Sequence, residues 1–261
     1  KEYDGTRNAT ITACTINGIV DVASVTVQKA ATYDTKLAGS GKAITVSFSL
    51  EGADKDSYIE PDSRVVYSSG VIHQKQLAVS GTLYSTTKVY DGTANIPITS
   101  NGTLQGVVQG DVVALNTVTG SYANSDAGTE KAFVIRYTLR GVDAANYTVP
   151  DLTGTSGTIL KAVLTATVGE HSRAYGAANP DFPVSVSGFV NGETASTASG
   201  YVEPTASTSA TATTSAGTKS TITISGGSAT NYSFNITDTG TLTITKAAMT
   251  GTVSITGSPV F

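Results

Sequence analysis

The chain has 261 residues, a net charge of −4 and only 14% charged side chains. It therefore lacks both the basic density of a phosphate-binding surface and the charge run of a solvating tail, and nucleic acid is excluded as a partner. The one cysteine, Cys14, rules out an intrachain disulfide and reads as a small buried apolar residue, while no apolar stretch reaches the ~20 residues of a membrane helix, so no membrane insertion is expected of this segment.

In chain order, the opening Lys1-Glu2-Tyr3-Asp4-Gly5-Thr6 returns 87 residues later as Lys88-Val89-Tyr90-Asp91-Gly92-Thr93. A repeat of domain size means an array of similar units rather than one large core. Asp-Gly supports a tight turn, and the tyrosine can bury its ring while its hydroxyl finds a partner, so Tyr3, Asp4, Gly5 and Tyr90, Asp91, Gly92 read as structural corners. Next come Tyr33 and Lys42, matched by Tyr122 and Lys131. Each lysine leads into a strand of period two: Ile44, Val46, Phe48 and Leu50 face inward, as do Phe133, Ile135, Tyr137 and Leu139, with polar residues between them. Such alternation predicts antiparallel sheets with one wet face.

Gly52, Gly141 and Gly226 each follow one of these strands and suit a turn with positive φ. The segment after Gly52 holds Asp54, Asp56 and Glu60, three carboxylates that could take Ca²⁺, or could simply be a solvated acidic turn. The matching segment of the second copy keeps only Asp143. The first copy closes on Gly70-Val71-Ile72 and the second on Gly157-Thr158-Ile159. Before the second copy, Leu77 to Tyr84 reads as a strand. The first copy has only Lys1-Glu2 before its corner, which predicts a fragment of a longer protein whose first strand lies upstream or is disordered.

A third unit opens with Arg173-Ala174-Tyr175-Gly176-Ala177-Ala178-Asn179-Pro180 and ends on Asn231-Tyr232 and Lys246-Ala247, echoing Asn146-Tyr147 and Lys161-Ala162. A helix is expected only around Asn191 to Ser196, and a short one.

These residues resemble known families. The first two units are similar to the YDG repeat, and the third resembles the MBG domain of the Tyr-Gly-x type. Tyr147, Tyr175, Gly176 and Tyr232 join the two Tyr-Asp-Gly corners as motif positions. Residues 251–257 resemble the first strand of yet another surface repeat. The resemblance implies a bacterial cell-surface or secreted adhesin-like protein, hence an extracellular or surface location. The domains expected are 1–75 and 76–160 of YDG type, 161–247 of MBG type, and 248–261 as the start of a further repeat. Ser57 stands where Asn146 and Asn231 stand, so the first unit departs most from the pattern.

The fold class expected is all-β: three tandem immunoglobulin-like β-sandwich modules in an elongated arrangement, or β-grasp-like modules with one short helix. No catalytic residue, cofactor or firm metal site emerges. His73 and His171 lie in different units, without the spacing of a shared ligand set, and read as solvated loop residues. Lys1, Lys88, Lys42 and Lys131 raise the idea of an isopeptide bond to Asn146, which needs a buried neutral lysine beside a protonated carboxyl; strand-end lysines over apolar surface are the plainer reading. Most tyrosines recur in register and so belong to architecture, leaving Tyr67, Tyr84 and Tyr201 as loop candidates for contact with sugars. The function expected is a non-enzymatic, monomeric stalk or spacer. The alternatives are a module binding a host glycan or protein through Gly176 to Asp181 and Asn191 to Ser199, or an accessory region of an extracellular hydrolase.

Overall fold

A computed structural model describes residues 1–62, 65–236, 239–254 and 256–257. The first repeat contributes β1 (Asn8–Ala9), β2 (Thr26–Tyr33), β3 (Gly39–Glu51) and β4 (Val65–Ile72). They form an antiparallel sheet in the order β1-β2-β3-β4. Then follow β5 (Lys75–Gln76), β6 (Ala78–Tyr84), β7 (Thr87–Val89), β8 (Asn95–Ile96), β9 (Ile98–Gln105), β10 (Ala114–Tyr122), β11 (Gly128–Arg140), β12 (Tyr147–Thr148) and β13 (Leu152–Leu160). The order β7-β13-β11-β10-β8 makes one sheet of this region, with β6-β9 and β12-β5 as two-stranded pairs. The third unit holds β14 (Ala162–Val168), β15 (His171–Ala174), β16 (Val184–Ser187), β17 (Val202–Thr208), β18 (Lys219–Ser228), β19 (Tyr232–Asn235) and β20 (Gly240–Thr245). These form the sheets β16-β14-β19 and β15-β20-β18-β17.

Period-two sequences become these strands because alternation lets one face be buried. In β11, Phe133 and Ile135 are buried while Arg136, Thr138 and Arg140 are exposed; in β3, Ile44, Val46, Phe48 and Leu50 are half-buried between exposed neighbours. Among the described residues the fold is essentially all-β. Helical backbone is confined to the 3₁₀ turns Lys55–Ser57 and Ala144–Asn146. The segment from Asn191 to Ser196 is not a helix. Asn191 and Gly192 both take positive φ, which a right-handed helix does not admit, and Glu193 sits on a tight bend closed by its N–H on the Val190 carbonyl.

One topological rule recurs. The first and last strands of a repeat run parallel: β7 beside β13, β15 beside β20, and Glu2 bridged to His73. The strand leaving each repeat then pairs, again in parallel, with the Asn-Tyr strand of the following one. Lys75 lies opposite Tyr147, and Ala162 opposite Tyr232.

The chain groups into two compact units. One comprises residues 1–85, 96–121 and 133–154, the other 86–95, 122–132 and 155–261. In the first, Tyr3, Tyr33, Ile72, Leu77 and Tyr147 form a buried cluster drawn from both YDG-like repeats. In the second, Ala166, Val168, Ala210, Ile222, Ile224, Leu242 and Ile244 pack together. Full burial of an Ile or Leu in such a cluster is worth roughly 1.5–3 kcal/mol, so these few residues dominate the cohesion of small modules.

Candidate functional site at the tyrosine corners

Each corner is tied locally by short polar side chains. Lys1 Nζ donates to Asp4 Oδ1 at 2.7 Å and to the Thr6 carbonyl at 2.9 Å, and Asp4 Oδ1 accepts the Thr6 N–H at 2.8 Å. The second copy reproduces this: Lys88 Nζ donates to Asp91 Oδ1 and to the Thr93 carbonyl, both at 2.7 Å, and the Thr93 N–H reaches Asp91 Oδ1 at 2.9 Å. Burial works against the charge of Asp4, but Lys1 and the Thr6 donors outweigh it and hold the carboxyl down at about 2. In the third unit Arg173 replaces the lysine, donating from Nε to Asn179 Oδ1 at 2.7 Å and from its terminal nitrogens to the carbonyls of Ala174 and Thr211. All three tyrosines are anchored alike, because Tyr3, Tyr90 and Tyr175 give their N–H to the carbonyls of His73, Leu160 and Thr245 at 2.9, 2.8 and 2.9 Å.

The tyrosine rings of the first two corners point away from their own repeats. Tyr3 Oη donates to Asp111 Oδ2 at 2.8 Å, and Tyr147 Oη donates to the same oxygen at 2.6 Å. The two rings meet edge to face with centroids 5.3 Å apart. Asp111 closes the turn Val108–Asp111, whose first N–H donates to Tyr147 Oη at 3.0 Å, and Lys36 Nζ lies 3.5 Å from Asp111 Oδ1. Tyr90 repeats the arrangement one unit on. Its hydroxyl donates to Glu193 Oε1 at 2.6 Å, Tyr232 donates to Glu193 Oε2 at 2.5 Å, and their rings lie edge to face at 5.5 Å.

The glycine of each corner is required by this approach. Gly5 and Gly92 both have φ +79°, and an added Cβ would fall 2.9 Å from Val108 and 2.5 Å from Asn191. An asparagine completes each clamp: Asn146 Oδ1 accepts the Ala38 N–H and Asn231 Oδ1 accepts the Ala127 N–H, each at 2.9 Å. Asn231 Nδ2 donates to Asp126 Oδ1 at 3.2 Å, whereas Asn146 Nδ2 is buried without a partner.

The charges are settled by these contacts. Burial opposes ionisation of Asp111, but the hydroxyls of Tyr147 and Tyr3 and the nearby Lys36 outweigh it and hold the carboxyl below its usual range. Burial and the bond to Asp111 push Tyr147 up to about 12; burial and the bond to Glu193 do the same for Tyr90. Tyr3 and Tyr232 are raised for the same reasons. In each clamp two protonated phenols donate to one carboxylate.

Asp111 and Glu193 are the residues that sequence reading missed. The detectable signal is Val108-Gln109-Gly110-Asp111 against Val190-Asn191-Gly192-Glu193. The first repeat hides it. Its equivalent turn, closed by the Ala23 N–H on the Val20 carbonyl and tied by the Val20 N–H to Tyr58 Oη, carries Ala23 in the acidic position.

The remaining candidates lie elsewhere. Asp54 accepts the Ser24 N–H at 2.7 Å, as Asp143 accepts that of Val112 at 2.9 Å, while Asp56 and Glu60 are exposed. Among the described residues no three His, Cys, Asp or Glu side chains converge on a metal position. His73 is exposed at a β-bridge, and His171 is half-buried in β15 against Phe182, so neither is the loop histidine expected. Lys42 donates to Thr35 and Lys131 to Asn124 rather than to Asn146. Tyr67 and Tyr84 lie in strands instead of loops, and Tyr201 packs against Phe189 and Phe234. Cys14 is half-buried rather than buried. Of the loops considered for ligand contact, 191–199 is engaged through Asn191 and Glu193 in the second clamp.

The chain matches the YDG domain family over residues 1–64 and 73–155, and the MBG domain (YGX type) family over residues 164–243. No curated protein and no solved structure matches it. Among the described residues no helix is long and apolar enough to cross a membrane.

Proposed function

We propose, since this chain belongs to the YDG domain family and carries an MBG domain of the YGX type, that it is a non-enzymatic stalk segment of a bacterial cell-surface or secreted adhesin-like protein. The domain identities support an adhesin-associated role in general. The narrower reading rests on one observation: the same clamp of two tyrosines on one carboxylate is built twice, at Asp111 and at Glu193. A device that repeats in register serves the fixing of one repeat against the next, which is what a spacer needs.

In this proposal the modules are residues 1–75, 76–160 and 161–247, with 248–261 opening a further one, and each is a two-layer sandwich of immunoglobulin-like type. The alternative is a β-grasp-like module, which the parallel pairing of first and last strands suits. The domain identities are consistent with an extracellular or cell-surface location for the segment.

Small-angle scattering tests the spacer reading. A compact globule of 261 residues has a radius of gyration of about 18 Å. A stalk gives a clearly larger value and a pair-distance distribution with a long tail. A value near the compact one would sink the proposal.

A further inference from the structure

Tyr175 stands at the third corner with the same anchors as Tyr3 and Tyr90, yet among the described residues nothing covers it. Tyr3 and Tyr90 are 1% and 5% exposed, whereas Tyr175 is 46% exposed. Gly176 keeps the left-handed φ of Gly5 and Gly92, at +82°, but has open space where those two meet Val108 and Asn191. Ala216-Gly217 matches Ala38-Gly39 and Ala127-Gly128 in sequence, and Ala216 is exposed, so the N–H that the clamp asparagine takes up in the other two units is on offer here. The segment leaving the repeat tells the same story. Leu77 and Leu164, each two residues beyond the position opposite the clamp tyrosine, are 1% and 0% exposed; Met249, the same distance past Ala247, is 97% exposed.

We infer that Tyr175, Gly176, Ala216 and the extended exit segment through Met249 form a docking socket for a further β-module. That module must present a carboxylate on a Val-x-Gly-acid turn together with an Asn-Tyr pair. The inference rests on the spacer reading and specifies the chemistry of its coupling. A second copy of this chain is a poor occupant. Its leading face offers Ala23 where the carboxylate belongs, so Tyr175 Oη would be buried without an acceptor, and Ser57, a shorter side chain, where the asparagine belongs.

The test inserts a second copy of residues 163–247 between Ala247 and Ala248, which preserves the register of Lys246-Ala247 with Lys161-Ala162. The inserted copy carries Tyr175→Phe, so that a single Tyr175 reports. Tyrosine nitration with tetranitromethane, mapped by peptide mass spectrometry, should mark Tyr175 readily in the native chain and spare Tyr90. In the extended chain, nitration of Tyr175 should drop to the level of Tyr90, and Glu193→Ala with Asn231→Ala in the inserted copy should restore it. Circular dichroism confirms that the inserted copy is folded. Undiminished nitration in a folded extended chain overturns the socket. So does concentration-dependent self-association of the native chain that protects Tyr175, since a copy lacking both the carboxylate and the asparagine would then suffice. Scattering extrapolated to zero concentration reports the shape of the single chain whichever way nitration falls, so failure here is separable from failure of the spacer reading.

Discussion

Tyr3 and Tyr147 share one oxygen: their rings cross edge to face at 5.3 Å and both hydroxyls end on Asp111 Oδ2. Each hydroxyl is a buried donor to a charged acceptor, a bond worth about 1.5–3 kcal/mol. Asp111→Ala removes the acceptor from both, and the expected loss is about 3 kcal/mol or more, read as a lower urea midpoint. Tyr3→Phe deletes one donor and leaves Tyr147 in place, so it should cost about half as much. In a double-mutant cycle, Tyr3→Phe should have little further effect once Asp111 is alanine. Additive losses would show that the two residues do not interact.

Both margins of the pH profile follow from the same clamp. Asp111 titrates below its usual range when folded. Its contribution is therefore present above the unfolded value of about 3.9 and is lost as pH falls through the lower folded value. The tyrosines have the opposite sign. Tyr147 and Tyr90 are raised to about 12, so their contribution is complete below the unfolded value of about 10 and disappears as pH climbs toward 12. Thermal melts across alkaline pH should show stability falling in that window, together with the rise of tyrosinate absorbance. Tyr147→Phe should flatten the alkaline limb; an unchanged limb would refute the assignment.

The corners were legible because their chemistry is local. Lys1, Asp4 and Thr6 bond within six consecutive residues, and period-two alternation in β3 and β11 displays which face is buried. The clamp was not legible, because Tyr3 and Asp111 are separated by 108 positions and Tyr90 and Glu193 by 103. The register that would have exposed the acidic turn is broken in the first repeat, where Ala23 replaces the acid. Residues 191–199 looked like variable surface for the same reason. Their difference from the first repeat reflects what they hold, namely Tyr90 and Tyr232, so variation between repeats marks a contact there and not a free loop.

Glycines at equivalent positions should differ in tolerance. A Cβ at Gly52 or Gly141 would fall 2.2 Å from the Ser24 carbonyl oxygen or 2.1 Å from that of Val112, whereas at Gly226 it meets open space. All three have positive φ. Gly226→Ala therefore carries only the conformational cost, about 1–2 kcal/mol, while Gly141→Ala adds a backbone clash and should exceed about 3 kcal/mol. Urea unfolding of the two variants checks the ranking, and equal losses would mean that the backbone near Val112 yields.

Asn146 gives the sharpest contrast between the two clamps. Its carbonyl oxygen does the same work as that of Asn231, but its Nδ2 is buried without a partner. The cause lies in one residue. Asp126, immediately before Ala127, receives Asn231 Nδ2; the residue immediately before Ala38 is Leu37, which is 48% exposed and offers no acceptor. A buried unpaired donor costs about 1–3 kcal/mol. Leu37→Asp places a carboxylate at the matching position and removes little buried apolar surface, so a net gain of about 1 kcal/mol is expected. The gain should vanish in Leu37→Asp with Asn146→Ala, because no orphan donor then remains. The reverse change, Asp126→Leu, should weaken the second clamp by a similar amount, seen as a lower unfolding midpoint. If Leu37→Asp stabilises the protein equally with and without Asn146, the effect belongs to surface charge rather than to the orphan amide.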